Sequence, residues 1–185
     1  MVIIREAHLG DLANIAQLHA QSWRDNYHPV LSADYLDKKV FAEREAVWTA
    51  RFNKPQSNQL VLVAELAGVF CGFICVLGAT HPEYGTIIDN LHVKASSKGQ
   101  GTGSRLLAAA ASWSMANYSG HDLYLEVLEC NSRAIGFYQA KGAKNITTAY
   151  WHTPCDNKVK EFIYSWGDPD NLAKALAKNL AETSS

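Results

Sequence analysis

The residues with the clearest chemical potential form a glycine-rich stretch, Lys98-Gly99-Gln100-Gly101-Thr102-Gly103, after an apolar run that ends at Leu91-His92-Val93. The helical pattern Ser104-Arg105-Leu106-Leu107 begins directly after it. Glycines let backbone N–H groups approach a ligand closely, and the first turn of a helix carries unpaired N–H groups and partial positive charge. The stretch therefore predicts a binding site for an anion such as a pyrophosphate.

Two common phosphate sites fit this stretch poorly. A P-loop ends in Gly-Lys-Ser/Thr, whereas here Gly103 is followed by Ser104 and Arg105, and Lys98 stands at the opposite end. A dinucleotide site opens a βαβ unit at the start of its fold. In this chain the whole first half precedes the loop, so the order of elements argues against that alternative.

A second motif follows the loop: Asn131-Ser132-Arg133-Ala134-Ile135-Gly136-Phe137-Tyr138, and then Gly142. Together the two motifs resemble the GNAT superfamily of N-acetyltransferases. Its cofactor loop reads Arg/Gln-x-x-Gly-x-Gly/Ala after the fourth strand, with Lys98 here in the Arg/Gln position. Its later helix reads Asn-x-x-Ala-x-x-Phe-Tyr-x-x-x-Gly. The resemblance covers roughly residues 2 to 166 and implies an enzyme that moves an acetyl group from acetyl-CoA to an amine.

Hydrophobic periodicity predicts the elements that would position these motifs. The predicted strands are 2–6, 60–66, 69–77, 86–93, 122–128, 143–150 and 159–166. The first predicted helix is capped by Asp11 and runs to residue 22. A helical region of one or two segments then runs from a cap at Ser32 to residue 52. The remaining predicted helices are 101–117, 131–141 and 169–182. This order predicts an α/β (α+β) fold with a mixed, mostly antiparallel sheet of about seven strands and helices on both faces. The resemblance adds a V-shaped splay between strands 4 and 5.

Composition favours one ordinary domain. The chain has 185 residues, 48% of them hydrophobic, and a formal net charge of −1. We expect a domain over 1–168 and a helical tail over 169–185. Nearly balanced charge argues against a nucleic-acid partner, and the absence of a long apolar run argues against a membrane span. The four cysteines follow no metal or disulfide spacing, so no metal site and a cytoplasmic protein are expected.

The resemblance implies specific cofactor contacts. Leu91 would offer its backbone N–H to the acetyl carbonyl, and the backbone of Val93, beyond His92, would pair with the pantetheine arm. Asn131 would reach the cofactor as well as cap its helix. The pyrophosphate would be surrounded by the loop residues Lys98, Gly99, Gln100, Gly101, Thr102, Gly103 and Ser104.

The resemblance also implies that Tyr138 protonates the leaving thiolate, although packing beside Phe137 is the alternative. For the general base, Asp89 is the first candidate because it lies two residues before Leu91. Glu126 is the second candidate. His92 is the third, since it would point to the opposite face from Asp89 in a regular strand.

The acceptor amine would bind near Trp23 and Tyr27 together with Asp89 and Glu126, although Trp23 is also a candidate core residue. The sequence does not identify the acceptor. We expect direct transfer in a ternary complex, because Cys130 has no histidine nearby in sequence to support a covalent intermediate. The alternative function is a non-catalytic acyl-CoA sensor or scaffold. The stripe formed by Leu172, Leu176 and Leu180 offers a surface for a homodimer, and the alternative is that it folds back on its own chain.

Overall fold

The chain builds seven strands and six helices around the predicted motifs. The computed structural model describes residues 2–182, with side chains described for residues 2–178. The strands are β1 (Val2–Glu6), β2 (Gln59–Leu66), β3 (Val69–His81), β4 (Gly85–Val93), β5 (Leu123–Leu128), β6 (Lys144–His152) and β7 (Lys158–Gly167). The helices are α1 (Leu12–Asn26), α2 (Ala33–Lys38), α3 (Val40–Asn53), α4 (Thr102–Asn117), α5 (Ser132–Gln139) and α6 (Pro169–Glu182).

The strands form one sheet in the order β1-β2-β3-β4-β5-β7-β6. All neighbours pair antiparallel except β4 and β5, which pair in parallel only at Thr86 with Leu123 and at Ile87 with Tyr124. Beyond these two pairs the remaining residues of β4 have no partner in β5. The mixed sheet is confirmed, and its centre opens between β4 and β5.

Helices cover both faces of the sheet, as the sequence predicts. On one face, α4 and α6 bury Leu106, Leu107 and Leu172 against Ile74 and other residues of the sheet. On the other face, α1 and α3 bury apolar side chains, including Ile15, Trp48 and Phe73. The two cores hold the central strands rigidly while leaving the β4–β5 opening unfilled.

The C-terminal stripe folds back on its own chain. Leu172 is fully buried and Leu176 nearly so, and both join the core beneath α4. The side chain of Leu180, the third residue of the stripe, lies outside the described residues. The two leucines therefore do not form an exposed surface for a second subunit.

Two local predictions were wrong at helix ends. Asp11 does not cap α1, because its carboxylate instead accepts hydrogen bonds from Arg5 Nη1 at 2.8 Å and Nη2 at 2.9 Å, and from the His8 N–H at 2.9 Å. These bonds, chiefly those from Arg5, lower the pKa of Asp11. In addition, α1 continues to Asn26 rather than stopping at Ser22, which extends one wall of the opening. The Ser32 cap is confirmed by its bond from the Tyr35 N–H at 3.2 Å.

No helix among the described residues is long and apolar enough to cross a membrane.

Candidate active site

A cleft of about 1360 Å³ occupies the opening between β4 and β5. It extends from the glycine loop at the start of α4 to the side chains of α1 and α3 at the other end. Every residue predicted from the sequence for cofactor, catalysis or acceptor binding lines it. These residues are Trp23, Tyr27, Asp89, Leu91, His92, Val93, Lys98, Gly99, Gln100, Gly101, Thr102, Gly103, Ser104, Glu126, Asn131 and Tyr138.

The backbone of β4 offers free hydrogen-bonding groups to this cleft. The Lys94 N–H donates to the Cys71 carbonyl at 2.8 Å, next to the facing pair Val93 and Gly72. In an antiparallel ladder this pattern makes Val93, and also Leu91 two residues earlier, members of non-hydrogen-bonded pairs. Their N–H and C=O groups therefore point away from β3 and toward the β5 side, where the sheet has opened. An extended ligand can pair with them as an additional strand would.

The glycine loop forms a cradle at the N-terminus of α4. Gly99 and Gly101 have φ values of 79° and 77°, and a Cβ atom built on either would meet nothing within 4 Å. The first bond of α4 runs from the Arg105 N–H to the Gly101 carbonyl at 3.0 Å, so the N–H groups of residues 102–104 lack intrahelical partners. The Thr102 hydroxyl is buried without a hydrogen-bond partner among the described residues. Open space, free donors and a hydroxyl without a partner fit a phosphate group.

Basic side chains surround this end of the cleft. Lys98, Arg105, Arg133 and Lys141 all line it. Burial lowers the pKa of Lys98, and the positive charge of Arg133 lowers it further. A bound polyphosphate would relieve that repulsion, so the cluster matches the charge of a diphosphate-containing cofactor.

Tyr138 and Asn131 reach the cleft from α5. The Asn131 side chain caps this helix by accepting from the Ala134 N–H at 3.2 Å, as predicted. Burial, and secondarily Tyr27, raises the pKa of Tyr138 well above its usual value. The phenol is thus protonated at neutral pH and can act as a proton donor, which is the form the predicted role requires.

A bulge in β4 determines where Asp89 points. Asn90 pairs with Cys75 and Ile88 pairs with Val76, which leaves Asp89 as the extra residue. Its carboxylate therefore turns toward α3 and forms an ion pair with Arg51, from Nη1 to Oδ2 at 2.6 Å. Asp89, the first candidate for the general base, is thus already paired with a cation. The bulge also changes the alternation of side chains along β4, so Asp89 and His92 do not lie on opposite faces as expected.

Glu126, the second candidate, lies beside a carboxylate that sequence reasoning missed. Glu126 of β5 pairs with Ile163 of β7, so Glu161 is its diagonal neighbour on the same face. Neither side chain has a hydrogen bond or ion pair among the described residues. Burial is the main cause that raises the pKa of each carboxyl group. The charge of Glu126 adds to this effect at Glu161, whose pKa is about 7, and the charge of Asp89 raises the pKa of Glu126 further. A carboxylate with such a pKa is well suited to accept a proton at neutral pH.

The sequence contained a weak sign of Glu161, which is an acid directly before the apolar run Phe162-Ile163-Tyr164. Its importance depends on β7 lying next to β5. No local pattern predicts that neighbourhood.

His92, the third candidate for the base, turns its side chain toward α1. Its Nδ1 lies 2.9 Å from Ser22 Oγ, and its ring stacks on that of His19 with centroids 4.9 Å apart. Burial, and to a lesser extent Lys98, lowers the pKa of His92 to about 4. The imidazole is therefore neutral at pH 7 but a weaker base than Glu161.

Aromatic rings form the wall of the cleft farthest from the glycine loop. The centroid of Trp23 lies 5.4 Å from that of Tyr27 and also 5.4 Å from that of Trp151, which β6 contributes. The Arg44 guanidinium carbon sits 4.3 Å above Trp23. Trp23 is half-buried and supports this wall, and its cation-binding face is already occupied by Arg44.

Cys130 does not have the features of a nucleophile. Its side chain is exposed at the end of β5 and does not line the cleft. Its pKa is raised, chiefly by desolvation, so the reactive thiolate is disfavoured.

Comparison with known proteins places these features in context. A model of the acetyltransferase (GNAT) family matches residues 15–143, which include the glycine loop and Tyr138. The uncharacterized N-acetyltransferase YuaI of Bacillus subtilis is 29% identical over 178 residues, covering 95% of this chain and 99% of that protein. A thialysine N-epsilon-acetyltransferase of Bos taurus is 29% identical over 163 residues, covering 82% of this chain and 89% of that protein.

Solved structures share the fold. The PaiA N-acetyltransferase of Thermoplasma acidophilum, solved in complex with coenzyme A, superposes with a TM-score of 0.69 at 21% identity. The alignment covers 89% of this chain and 98% of that one. A ribosomal-protein-alanine N-acetyltransferase of Brucella melitensis has a TM-score of 0.65 at 19% identity, with 88% and 98% coverage.

Proposed function

The chain belongs to the acetyltransferase (GNAT) family and is an acyl-CoA-dependent N-acetyltransferase with acetyl-CoA as its cofactor. From this premise we propose that it transfers the acetyl group directly to a primary amine held in the same cleft. The observation that carries the proposal is the opening between β4 and β5. It joins an anion cradle, unpaired strand backbone, a protonated tyrosine and free carboxylates in one continuous space.

The cradle and the unpaired backbone fit acetyl-CoA along its length. The N–H groups at the start of α4, with Lys98 nearby, would hold the pyrophosphate. The backbone of Val93 would pair with the pantetheine arm, and the Leu91 N–H would donate to the carbonyl oxygen of the thioester. That hydrogen bond would strengthen as the oxygen gains negative charge in the transition state, which would lower the barrier. Acetyl-CoA supplies the activated acyl group when bound.

The remaining residues manage two protons. As the C–N bond forms, Glu161, with Glu126 beside it, accepts the proton that the amine loses. As the C–S bond breaks, Tyr138 donates its phenolic proton to the departing sulfur. We assign Asp89 a positioning role, because its ion pair with Arg51 holds the β4 bulge beside the reacting groups. No covalent intermediate on the enzyme is required.

The relatives favour an acceptor with an accessible terminal amine. The bovine relative is named for acetylation of an ε-amine on a lysine analogue. The acceptor half of the cleft in this chain is lined by the rings of Trp23, Tyr27 and Trp151, against which the methylene chain of such an acceptor can pack.

The test is release of free CoA from acetyl-CoA in the presence of amino acids, polyamines, aminoglycosides and short peptides. Amine-dependent release that falls in Tyr138→Phe supports the proposal. Glu129→Gln is a matched control, because Glu129 is an exposed acid paired with Lys160 outside the cleft. Tight acetyl-CoA binding with no release for any acceptor would indicate the sensor function, and no binding at all would refute the cofactor assignment.

A further inference from the structure

Arg44 has hydrogen-bonding capacity that the fold leaves unused. This α3 residue lines the cleft, and its side chain is only 12% exposed. Among the described residues it makes one hydrogen bond, from Nη2 to Glu43 Oε1 at 2.5 Å. Its Nε–H is buried and has no partner there. A guanidinium has five N–H donors, and buried donors without partners are costly, so such a group calls for an explanation.

The other arginines in similar surroundings leave no buried donor unpartnered. Arg5 donates to Glu65, Asp11 and the Glu6 carbonyl through all three of its nitrogen atoms. Arg51, in the same cleft as Arg44, contacts Asp89, Asn90 and Cys75, all through Nη1. Among the arginines of the described residues, only Arg44 has a buried nitrogen without a hydrogen-bond partner.

A second unpartnered donor lies beside Arg44. His19 is 3% exposed, and its Nδ1 accepts a hydrogen bond from the Trp48 Nε1–H at 3.1 Å. The indole nitrogen can only donate, so the proton of the neutral imidazole resides on Nε2. That Nε2–H has no partner among the described residues. His19 also lines the cleft, and its ring centroid lies 5.3 Å from that of Trp23, the ring that Arg44 covers.

The opposite wall of the cleft carries the complementary charge. Glu126 and Glu161 are free of hydrogen bonds and ion pairs among the described residues, as shown above. The acceptor half therefore has unused cationic and N–H donors on the α1–α3 side and unused carboxylates on the β5–β7 side. A ligand that satisfies both must carry an anionic group and an amine.

We propose that the acceptor is an amino acid or a similar zwitterion, whose carboxylate binds Arg44 near His19 while its reacting amine faces Glu126 and Glu161. This inference rests on the proposed function and specifies its substrate class. A diamine or polyamine would satisfy the glutamates equally well. However, it would place either no group or a second ammonium beside Arg44, and like charges in a dry cleft repel.

The test compares amino acids with the amines that remain after loss of their carboxylate. Suitable pairs are lysine and 1,5-diaminopentane, ornithine and 1,4-diaminobutane, and phenylalanine and 2-phenylethylamine. We expect kcat/KM to be about 10- to 100-fold higher for the carboxylate-bearing member, the range of one or two charge-assisted hydrogen bonds. Arg44→Met should remove the preference by lowering kcat/KM for the carboxylate-bearing members and by raising it for the diamines, whose second ammonium Arg44 repels. Arg44→Lys should restore the preference in part.

Arg24→Met is the matched control. Arg24 is an arginine of α1 that is half exposed, does not line the cleft, and approaches Asp37 at 3.7 Å. Its replacement should leave the preference intact. Circular dichroism and thermal melting of each variant will separate misfolding from loss of recognition.

The outcomes separate this inference from the proposed function. Turnover of the amine-only members at equal or higher kcat/KM overturns the inference and leaves the acetyltransferase assignment standing. If no acceptor is turned over, calorimetry of the CoA-saturated protein measures whether lysine and 1,5-diaminopentane bind. Binding of lysine but not 1,5-diaminopentane, lost in Arg44→Met, supports the carboxylate site without the activity, and binding of neither refutes both.

Discussion

The carboxylate pair makes a quantitative prediction about pH. Burial, and secondarily Glu126, raises the pKa of Glu161 from 4.5 to about 7. If Glu161 accepts the amine proton, only its ionised form is active. That form constitutes about 9% of the enzyme at pH 6 and about 91% at pH 8, so ionisation of Glu161 should raise kcat/KM about tenfold across this interval. Glu161→Gln should abolish the inflection and lower kcat/KM at pH 8 by about 10²-fold or more.

Glu126→Gln provides a graded perturbation of the same group. Burial is the larger cause of the raised pKa of Glu161 and remains in this variant. Removal of the Glu126 charge should therefore shift the inflection down by about one pH unit at most. At pH 6 the ionised fraction would then approach about one half, which raises relative activity at that pH about fivefold. The two carboxyls titrate as a coupled pair, so the shift of the profile is the informative quantity.

The assay is CoA release followed with a thiol reagent from pH 5.5 to 9, at limiting acceptor. Its amine should have a pKa above 10, so that its own ionisation adds a constant slope. The rise expected from Glu161 is the change in kcat/KM that remains after this slope is removed. Glu129→Gln again serves as the control and should keep the wild-type profile. A wild-type profile without an inflection between pH 6 and 8, or full activity of Glu161→Gln at pH 8, would refute the reasoning.

Four further outcomes follow from the same structure. Tyr138→Phe should lower kcat by up to about 10²-fold with little change in the KM for acetyl-CoA, because the phenol acts only as the sulfur departs; steady-state kinetics at pH 8 will test this. Gly101→Ala should raise the KM for acetyl-CoA about fivefold, since alanine at φ 77° costs about 1 kcal/mol and a methyl group enters the cradle. An unchanged KM would contradict the proposal that this loop binds the pyrophosphate. Leu172→Ala should reduce the free energy of unfolding in urea by about 2–4 kcal/mol, because the side chain is fully buried, and exposed Lys174→Ala should not. Glu161→Gln should raise the melting temperature at pH 8 but not at pH 4. The pKa of Glu161 is about 7 in the folded protein against 4.5 in the unfolded chain, so its ionisation destabilises the folded state above pH 4.5 and has no such effect at pH 4.

Much of the cofactor half of the site was predictable from local sequence. The glycines of the loop, the Asn131 cap and the sequence of strands and helices are properties of short segments, and the structure bears out the elements they predict. Glycine permits the positive φ that Gly99 and Gly101 adopt. The segment that we propose to pair with the cofactor would act through its backbone and not through its side chains, so its position at the end of the fourth strand was enough to identify it.

The acceptor half was predictable only in part, because contacts between distant segments build it. Trp23, Tyr27 and Glu126 line the cleft as expected, but the partners that determine their chemistry were not apparent. Arg44 covers Trp23, and Glu161 is brought beside Glu126 because β7, not β6, neighbours β5.

The sequence by itself determined the glycine-rich loop before a helix, the order of strands and helices and a tyrosine-bearing helix, since each is encoded over a few neighbouring residues. The splay between strands 4 and 5 was implied only by the family resemblance. Only the tertiary structure decided which charged groups keep unused hydrogen-bonding capacity. The β4 bulge turns Asp89 into an ion pair with Arg51. Arg44, although paired with Glu43, keeps a buried Nε–H without a partner, and Glu126 and Glu161 have no hydrogen bond or ion pair among the described residues. Hydrogen-bond and ion-pair satisfaction is a property of the assembled fold, because the partners come from strands and helices far apart in the chain.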